Sequence, residues 1–205
     1  ITGLTRSYRS ALKPLLQIIG VEKDVNLVAG MYILNTKRGP LFLADTTENL
    51  NPNAAQIAEI TQNVSKTIRK LKITPRIALL SYSNFGSSPG DDAEKMGKAA
   101  TILHETNPSL IVDGEVQANF ALNSDLMNEK FPFSTLANKD VNTLIFPNLS
   151  SGNIAYKLLQ QMTDGDAIGP ILIGLKKAIH VVQLGSSVRE IVNMVKIAVI
   201  DAQNK

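Results

Sequence analysis

Short aliphatic runs alternate along this chain with longer stretches in which apolar residues return every three or four positions. Such alternation leaves few folds open, because elements of both kinds must bury their apolar sides against each other. The runs 76–82, 110–112, 142–146, 171–173 and 178–182 have the length and aliphatic content of strands. Between them, Ile57, Ile60, Val64, Ile68 and Leu71 mark one long amphipathic helix, and Ala93, Met96, Ala100 and Leu103 mark a second. Residues 153–162 read as a third, and two short helices are expected around 116–122 and 124–129. Residues 7–19 predict an opening helix, kinked or delayed by Pro14. Residues 25–34 and 39–44 read as a hairpin closed by Lys37-Arg38-Gly39. With links this short, the pattern predicts an α/β layered sheet with helices on both faces and no internal repeat.

Several helix starts are marked by their own chemistry. Asn51-Pro52 predicts an N-cap followed by proline at the first helical position, and Ser88-Pro89 predicts the same. Ser187-Val188-Arg189-Glu190 is a capping box, with Ser at the N-cap and Glu three residues on. The helix it opens carries Val188, Ile191, Val192, Val195, Ala198 and Val199 at helical spacing, widened by Met194 and Ile197. That face is too wide for a lone surface helix, so part of it is expected to pack on a partner chain or on another part of a larger protein.

Composition narrows the function. Of 205 residues, 44% are hydrophobic, enough for a sizeable core, and with no Trp and only 5% aromatics that core must be aliphatic. The net charge is +3 and the basic residues are scattered, which argues against nucleic acid and mildly suits an anionic ligand. The absence of Cys excludes disulfides, thiolate metal sites and a cysteine nucleophile. No apolar run approaches the roughly 20 residues of a membrane span and no signal peptide is visible, so a soluble, cytoplasmic chain with no membrane partner is expected. No Gly-x-Gly-x-x-Gly occurs, so no dinucleotide site of that kind can be argued. The opening Ile1-Thr2-Gly3-Leu4-Thr5-Arg6-Ser7-Tyr8 does not read as a natural start, and the sequence is expected to be a fragment.

The stretch Lys177-Ala178-Ile179-His180-Val181-Val182-Gln183-Leu184-Gly185-Ser186-Ser187-Val188-Arg189-Glu190-Ile191-Val192-Asn193-Met194 resembles the end of the phosphate acetyltransferase/butyryltransferase family. It resembles more closely the version of that domain fused to the C-terminus of bacterial NADP-dependent malic enzymes, as does Ser81-Tyr82-Ser83-Asn84-Phe85-Gly86-Ser87-Ser88. Further similar stretches, including Leu43-Ala44-Asp45-Thr46 and residues 51–61, 111–117, 146–157 and 168–203, recur in the family's order and cover most of the chain. The resemblance implies a three-layer α/β/α sandwich with a mixed, mostly parallel sheet, of the isocitrate/isopropylmalate dehydrogenase-like kind. It also implies a split lobe: 1–24 as its remnant, 25–175 as the inserted second lobe, and 176–205 as the return with the terminal helix.

Where the family's transferases carry a catalytic Ser-Arg pair, this chain has Gln183-Leu184, and where they carry a catalytic Asp it has Glu190. A Leu donates no hydrogen bonds, and the planar fork of an Arg has no substitute there. The resemblance therefore implies a domain without transferase chemistry, which supports oligomer assembly and binds acetyl-CoA or CoA as an effector. The parent would decarboxylate malate oxidatively to pyruvate, with NADP and a divalent metal (Mg or Mn) held outside this chain. The alternative is an active phosphate acetyltransferase, moving acetyl between CoA and phosphate.

Candidate ligand residues follow, each with a plain structural reading beside it. Ser83, Asn84, Ser87 and Ser88 lie between a strand end and a helix start, where free N–H groups and hydroxyls suit an anion or a CoA phosphate. The same loop reads equally as a turn and cap. Asp113-Gly114-Glu115, expected at a strand end, offers paired carboxylates for acid/base work or simple hydrogen bonding. Asn153 and Lys157 are possible cleft contacts or merely part of a glycine-bearing helix start. Lys13 stands where the transferases place a cleft Arg, keeping the charge but losing the bidentate grip. His104 reads as a surface helix residue. His180, next to Gln183 in the sheet region, reads as a ligand contact or a satisfied core histidine. Glu190 has its cap to close.

Overall fold

The computed structural model describes residues 1–5, 7–162, 167–183 and 185–203. Its main sheet has six strands in the order β5–β4–β6–β3–β2–β7. These are β2 (Ala29–Thr36), β3 (Gly39–Ala44), β4 (Arg76–Leu80), β5 (Ile111–Val116), β6 (Thr143–Ile145) and β7 (Ala167–Ile173). Four neighbours, β5, β4, β6 and β3, run parallel, while β2 pairs antiparallel with both β3 and β7. The sheet is thus mixed and mostly parallel, as the family resemblance implies.

The period-2 geometry of strands divides the apolar residues between two cores. Met31, Ile33, Phe42, Ala44, Ile77, Leu79 and Ile145 face one side, packed by Ile57, Ile60, Val64 and Ile68 of α2 (Ala54–Lys70), by Met96 and Leu103 of α3 (Asp91–Thr106), and by Met194 of α7 (Val188–Gln203). Tyr32, Leu34, Leu43, Ala78, Leu80 and Leu144 face the other, under Ala121 of α4 (Ala118–Ala121), Met127 of α5 (Ser124–Lys130) and Tyr156 of α6 (Leu149–Met162). Three layers, α/β/α, result. A separate parallel pair, β1 (Thr2–Gly3) with β8 (Val181–Val182), lies with α1 (Tyr8–Ile18) over a small core of Leu12, Leu172, Leu175 and Val181.

Element boundaries depart from the sequence expectation where capping chemistry decides them. The N-cap of α2 is Asn53 rather than Asn51. Its side chain accepts from Gln56 N at 2.9 Å while Gln56 Oε1 accepts from Asn53 N at 2.8 Å, a reciprocal box that Pro52, lacking an N–H, cannot enter. Helix α3 starts at Asp91 behind Gly90, not at Pro89 behind Ser88. Its first turn carries Asp91, Asp92 and Glu94, which complement the N-terminal dipole without a side-chain cap. Helix α6 starts at Leu149, so Asn153 lies inside it rather than at its start. Asn148 Oδ1 accepts from Ser151 N at 3.0 Å and takes the capping role. Strand β2 begins at Ala29, later than expected, and β5 runs on to Val116, so Asp113 and Glu115 lie within a strand. Helix α1 runs through Pro14 from Tyr8. The terminal capping box forms as expected: Glu190 N donates to Ser187 Oγ at 3.2 Å and Ser187 N to Glu190 Oε2 at 2.6 Å.

Candidate functional site

The carboxyl ends of the four parallel strands lie at one edge of the sheet, the usual ligand edge of an open α/β fold. Three segments converge there: the turn after β3, the loop after β4, and the start of α6 after β6.

The loop after β4 is organised by Glu115. Its Oε1 accepts from Ser83 Oγ at 3.0 Å and from Gly86 N at 2.6 Å, and the carboxylate is buried. Its other oxygen rests against Gly97 of α3, where an added Cβ would stand 2.7 Å from it. Ser88 N donates to Ser83 Oγ at 3.0 Å, Asn84 N to Ser87 Oγ at 2.9 Å, and Gln117 N to Asn84 Oδ1 at 2.8 Å. The free donors expected of this loop are therefore committed within the protein. Ser83 is fully buried, while Asn84 and Ser88 are half-buried and Ser87 is exposed. Asp113 is likewise structural: its Oδ2 accepts from Ser134 Oγ at 2.8 Å and from Thr135 N at 2.9 Å. His104 sits on the exposed side of α3, its Nε2 2.9 Å from Val112 O.

The turn after β3 escaped the sequence reading as a site. Asp45, nearly fully buried, accepts from Gly30 N, Thr47 N, Glu48 N and Asn49 N at 2.8–3.2 Å, and from Asn49 Nδ2 at 2.5 Å. A lone Asp ending an aliphatic run and followed by Thr46-Thr47 was the available signal. Beside it, Tyr8 Oη, Thr47 Oγ1 and Glu48 Oε1 are buried without a well-formed hydrogen bond, although they are close enough to shift one another. Burial, ahead of the nearby Glu48 charge, pushes the Tyr8 hydroxyl well above the ordinary phenol range. Burial, reinforced by Asp45 and opposed by Tyr8, Thr47 and Arg9, pushes Glu48 up to about 7.

Helix α6 meets this turn closely. A Cβ on Gly152 would stand 2.5 Å from Asp45 O, so only glycine permits the approach. Asn153 Nδ2 donates to Thr46 O at 3.2 Å. Asn148 Nδ2 donates to Asp92 Oδ2 at 3.1 Å, and Lys95 Nζ bridges Asp92 Oδ1 and Asn51 Oδ1, each at 2.7 Å, linking α6 to α3. One turn further along α6, Tyr156 stacks on Tyr32 of β2 with ring centroids 3.7 Å apart. Gln183 Nε2 donates to Tyr32 Oη at 3.0 Å, and Glu190 is near enough to raise both tyrosines slightly further, after burial. Thus α6 is tied to the sheet at two points, through Asn153 to Thr46 and through Tyr156 to Tyr32, and Gln183 joins the second. Lys157 is exposed beside Tyr156, and Lys13 is exposed on α1. Leu184 lies outside the described residues.

His180 is not a cleft residue. It is completely buried, its Nδ1 accepts from Leu172 N at 3.2 Å, and its Nε2 lies 3.9 Å from Asp201 Oδ2 of α7. The ring is enclosed between β7 and α7, a core position rather than a ligand contact. Among the described residues no group of three or more His, Asp or Glu side chains could hold a metal ion, and no helix is long and apolar enough to cross a membrane.

The fold that forms this edge is shared with known proteins. Residues 1–199 match the family described as phosphate acetyl/butaryl transferase, and the chain belongs to that family. Over 205 residues it is 40% identical to the NADP-dependent malic enzyme of Haemophilus influenzae, matching all of this chain and 27% of that protein. It is 36% identical over 210 residues to the phosphate acetyltransferase of Clostridium acetobutylicum, covering 99% of this chain and 63% of that one. Among solved structures, the EutD phosphotransacetylase from Staphylococcus aureus superposes with a TM-score of 0.88 at 28% identity, over 98% of this chain and 62% of that one. The chain therefore spans about a quarter of the malic enzymes it matches, and the part of them that it matches is their phosphate acetyltransferase-like domain.

Proposed function

We propose that this chain is the C-terminal, non-catalytic domain of an NADP-dependent malic enzyme, and that it binds acetyl-CoA or CoA as a regulator at the carboxyl edge of its parallel strands. The observation that carries the reading is what has become of the transferase positions. Gln183 spends its amide on Tyr32, and Glu190 closes the cap of α7. Both are held in structural contacts, Leu184 in place of an Arg offers no donor at all, and losing one preorganised donor commonly costs roughly 10²–10³ in rate. In this reading the 84–88 loop, through Asn84, Ser87 and Ser88, and helix α6, through Asn153 and Lys157, form one wall for the ligand, Gln183 forms the other, and Lys13 on α1 is the proposed cation. The parent reaction, oxidative decarboxylation of malate with NADP and Mg or Mn, belongs to other parts of the longer protein. The residues here do not fit either group, since neither a glycine-rich dinucleotide loop nor a converging ligand set is found among those described. The protein works in the cytoplasm and as a homo-oligomer. Val188, Val192, Val195 and Val199 form an exposed stripe along α7 at the 4-3-4 spacing of helix pairing, and light scattering should report a dimer or larger.

A coupled assay for acetyl transfer from acetyl-CoA to phosphate, run on the intact malic enzyme, should show at most about a hundredth of the turnover of a working phosphate acetyltransferase. Calorimetry with acetyl-CoA should show binding that weakens on Lys157→Ala or Ser87→Ala. Turnover near that of a transferase would establish the alternative enzyme reading, and absence of heat would remove the regulatory one.

A further inference from the structure

Behind the sheet, on the face away from the Tyr32–Tyr156 stack, α2, β7, α7 and the 22–25 loop enclose a cavity of about 240 Å³. None of the candidate cleft residues lines it. At roughly 30 Å³ for each water-sized group, it holds about eight non-hydrogen atoms. Its floor is aliphatic: Leu71, Ile171, Ile173 and Ile197. One wall is not. Asn63, Lys66 and Lys70 line the cavity from a single stripe of α2, at spacings that put them on one helical face.

Asn63 is the unusual member. It is only 6% exposed, yet its Nδ2 is buried without a hydrogen-bond partner. A buried donor left unmet is costly and asks for an acceptor. The charged groups around the cavity are of both signs. Lys70 is paired with Asp201 at 3.5 Å, and Asp201 also lies 3.9 Å from His180 Nε2. Glu22, Lys23 and Asp24 are solvent-exposed on the loop that forms the rim. That leaves Lys66 as the ammonium on the same wall as the unmet amide. A group that meets both is an oxygen anion, and the aliphatic floor requires an apolar body behind it.

We propose that this cavity is a second small-molecule site, taking a short-chain aliphatic carboxylate whose head group is met by Asn63 and Lys66 and whose chain lies on Leu71, Ile171, Ile173 and Ile197. The site goes beyond acetyl-CoA binding at the strand edge and does not depend on it.

The probe is hexanoate, which has eight non-hydrogen atoms, titrated calorimetrically into the intact protein beside acetate and hexanamide. Hexanoate should bind, acetate at least tenfold more weakly for want of a chain, and hexanamide about tenfold more weakly for want of the charge. Asn63→Leu, close in size, and Lys66→Glu, an exposed position of the cavity wall, should each weaken hexanoate by about tenfold or more. Because Asn63→Leu replaces a buried residue, its thermal midpoint is measured alongside; Lys66→Glu should fold as the parent does. An absence of hexanoate binding at millimolar concentration overturns the proposal. So does an affinity that Lys66→Glu leaves unchanged, whatever Asn63→Leu does, and so does equal binding of hexanamide.

Discussion

Two carboxylates in the same turn have opposite fates, and the contrast makes each testable. Asp45 collects five N–H groups, whereas Glu48 Oε1 is buried without a hydrogen-bond partner. Asp45→Asn turns one oxygen into a donor facing donors and removes the charge. At roughly 1.5–3 kcal/mol per hydrogen bond to a charged group, a loss of about 3 kcal/mol or more is expected in urea unfolding. Glu48 is pushed up to about 7, because burial outweighs its polar neighbours. A raised carboxyl binds more protons in the native state than in the unfolded one. Its ionisation therefore costs nothing below the ordinary carboxylate pKa, accumulates as pH rises towards 7, and stays constant above it. Discounted for the solvent that still reaches it, the cost is on the order of 2 kcal/mol. Glu48→Gln should abolish that fall in stability between about pH 4.5 and 7, as measured by thermal midpoints across pH. An unchanged pH profile would show that Glu48 ionises freely. Sequence reading reached Gln183 and Glu190 because family likeness marked their positions. It passed over Asp45 although four of its five donors lie within four residues of it, and over Glu48 because the burial that raises it comes with Tyr8, which only folding brings near.

At the scale of elements, what the sequence foretold and what it did not divide along a physical line. Periodicity found the strands and helices of both cores, since burial on two faces imposes it directly. Starts and stops were found only where the cap lay wholly within a few consecutive residues, as in Ser187–Glu190. Helix α3 was misplaced by two residues because its start uses the dipole and three acidic side chains rather than a capping hydroxyl. In the 83–88 loop nothing local shows that Glu115, some thirty residues on, takes up the Ser83 hydroxyl and the Gly86 N–H. Two substitutions separate these effects. Glu190→Asp shortens the reach to Ser187 N, and should cost about 0.5–1 kcal/mol without conferring acetyl transfer, even though it restores the residue type of the family's transferases. Gly152→Ala forces a Cβ against Asp45 O and should pull α6 from the turn, seen as lost acetyl-CoA binding with the sheet's far-ultraviolet dichroism preserved. Should Glu190→Asp instead gain transferase turnover, the cap would not be that residue's role.

The whole molecule is uneven, and its unevenness predicts how it opens. The six-stranded sheet is covered on both faces by large clusters, whereas β1 and β8 are two residues each, paired parallel, over four fully buried side chains. Parallel strands depend on cover from both faces, and two-stranded sheets are marginal in water. The small layer should therefore unfold locally before the rest. In native-state hydrogen exchange, the amide of Thr2, which donates to His180 O, and that of Gly20, which donates to Leu16 O at the end of α1, should open at a fraction of the free energy of Leu79 or Ile145. Their exchange should depend little on denaturant, as befits a small exposed area. Gln183 follows β8 directly and reaches across to Tyr32 of the main sheet, so the proposed ligand wall spans both parts. A ligand that binds only when this contact is intact stabilises the closed small layer by mass action, about 2.7 kcal/mol at a hundred times its dissociation constant. Acetyl-CoA should thus slow exchange at Thr2 and Gly20 while leaving Leu79 unchanged in its relative rank. Equal protection of Thr2 and Leu79 without ligand would show that the molecule opens as one unit. Protection of Leu79 alone on adding acetyl-CoA would place the ligand entirely on the main sheet.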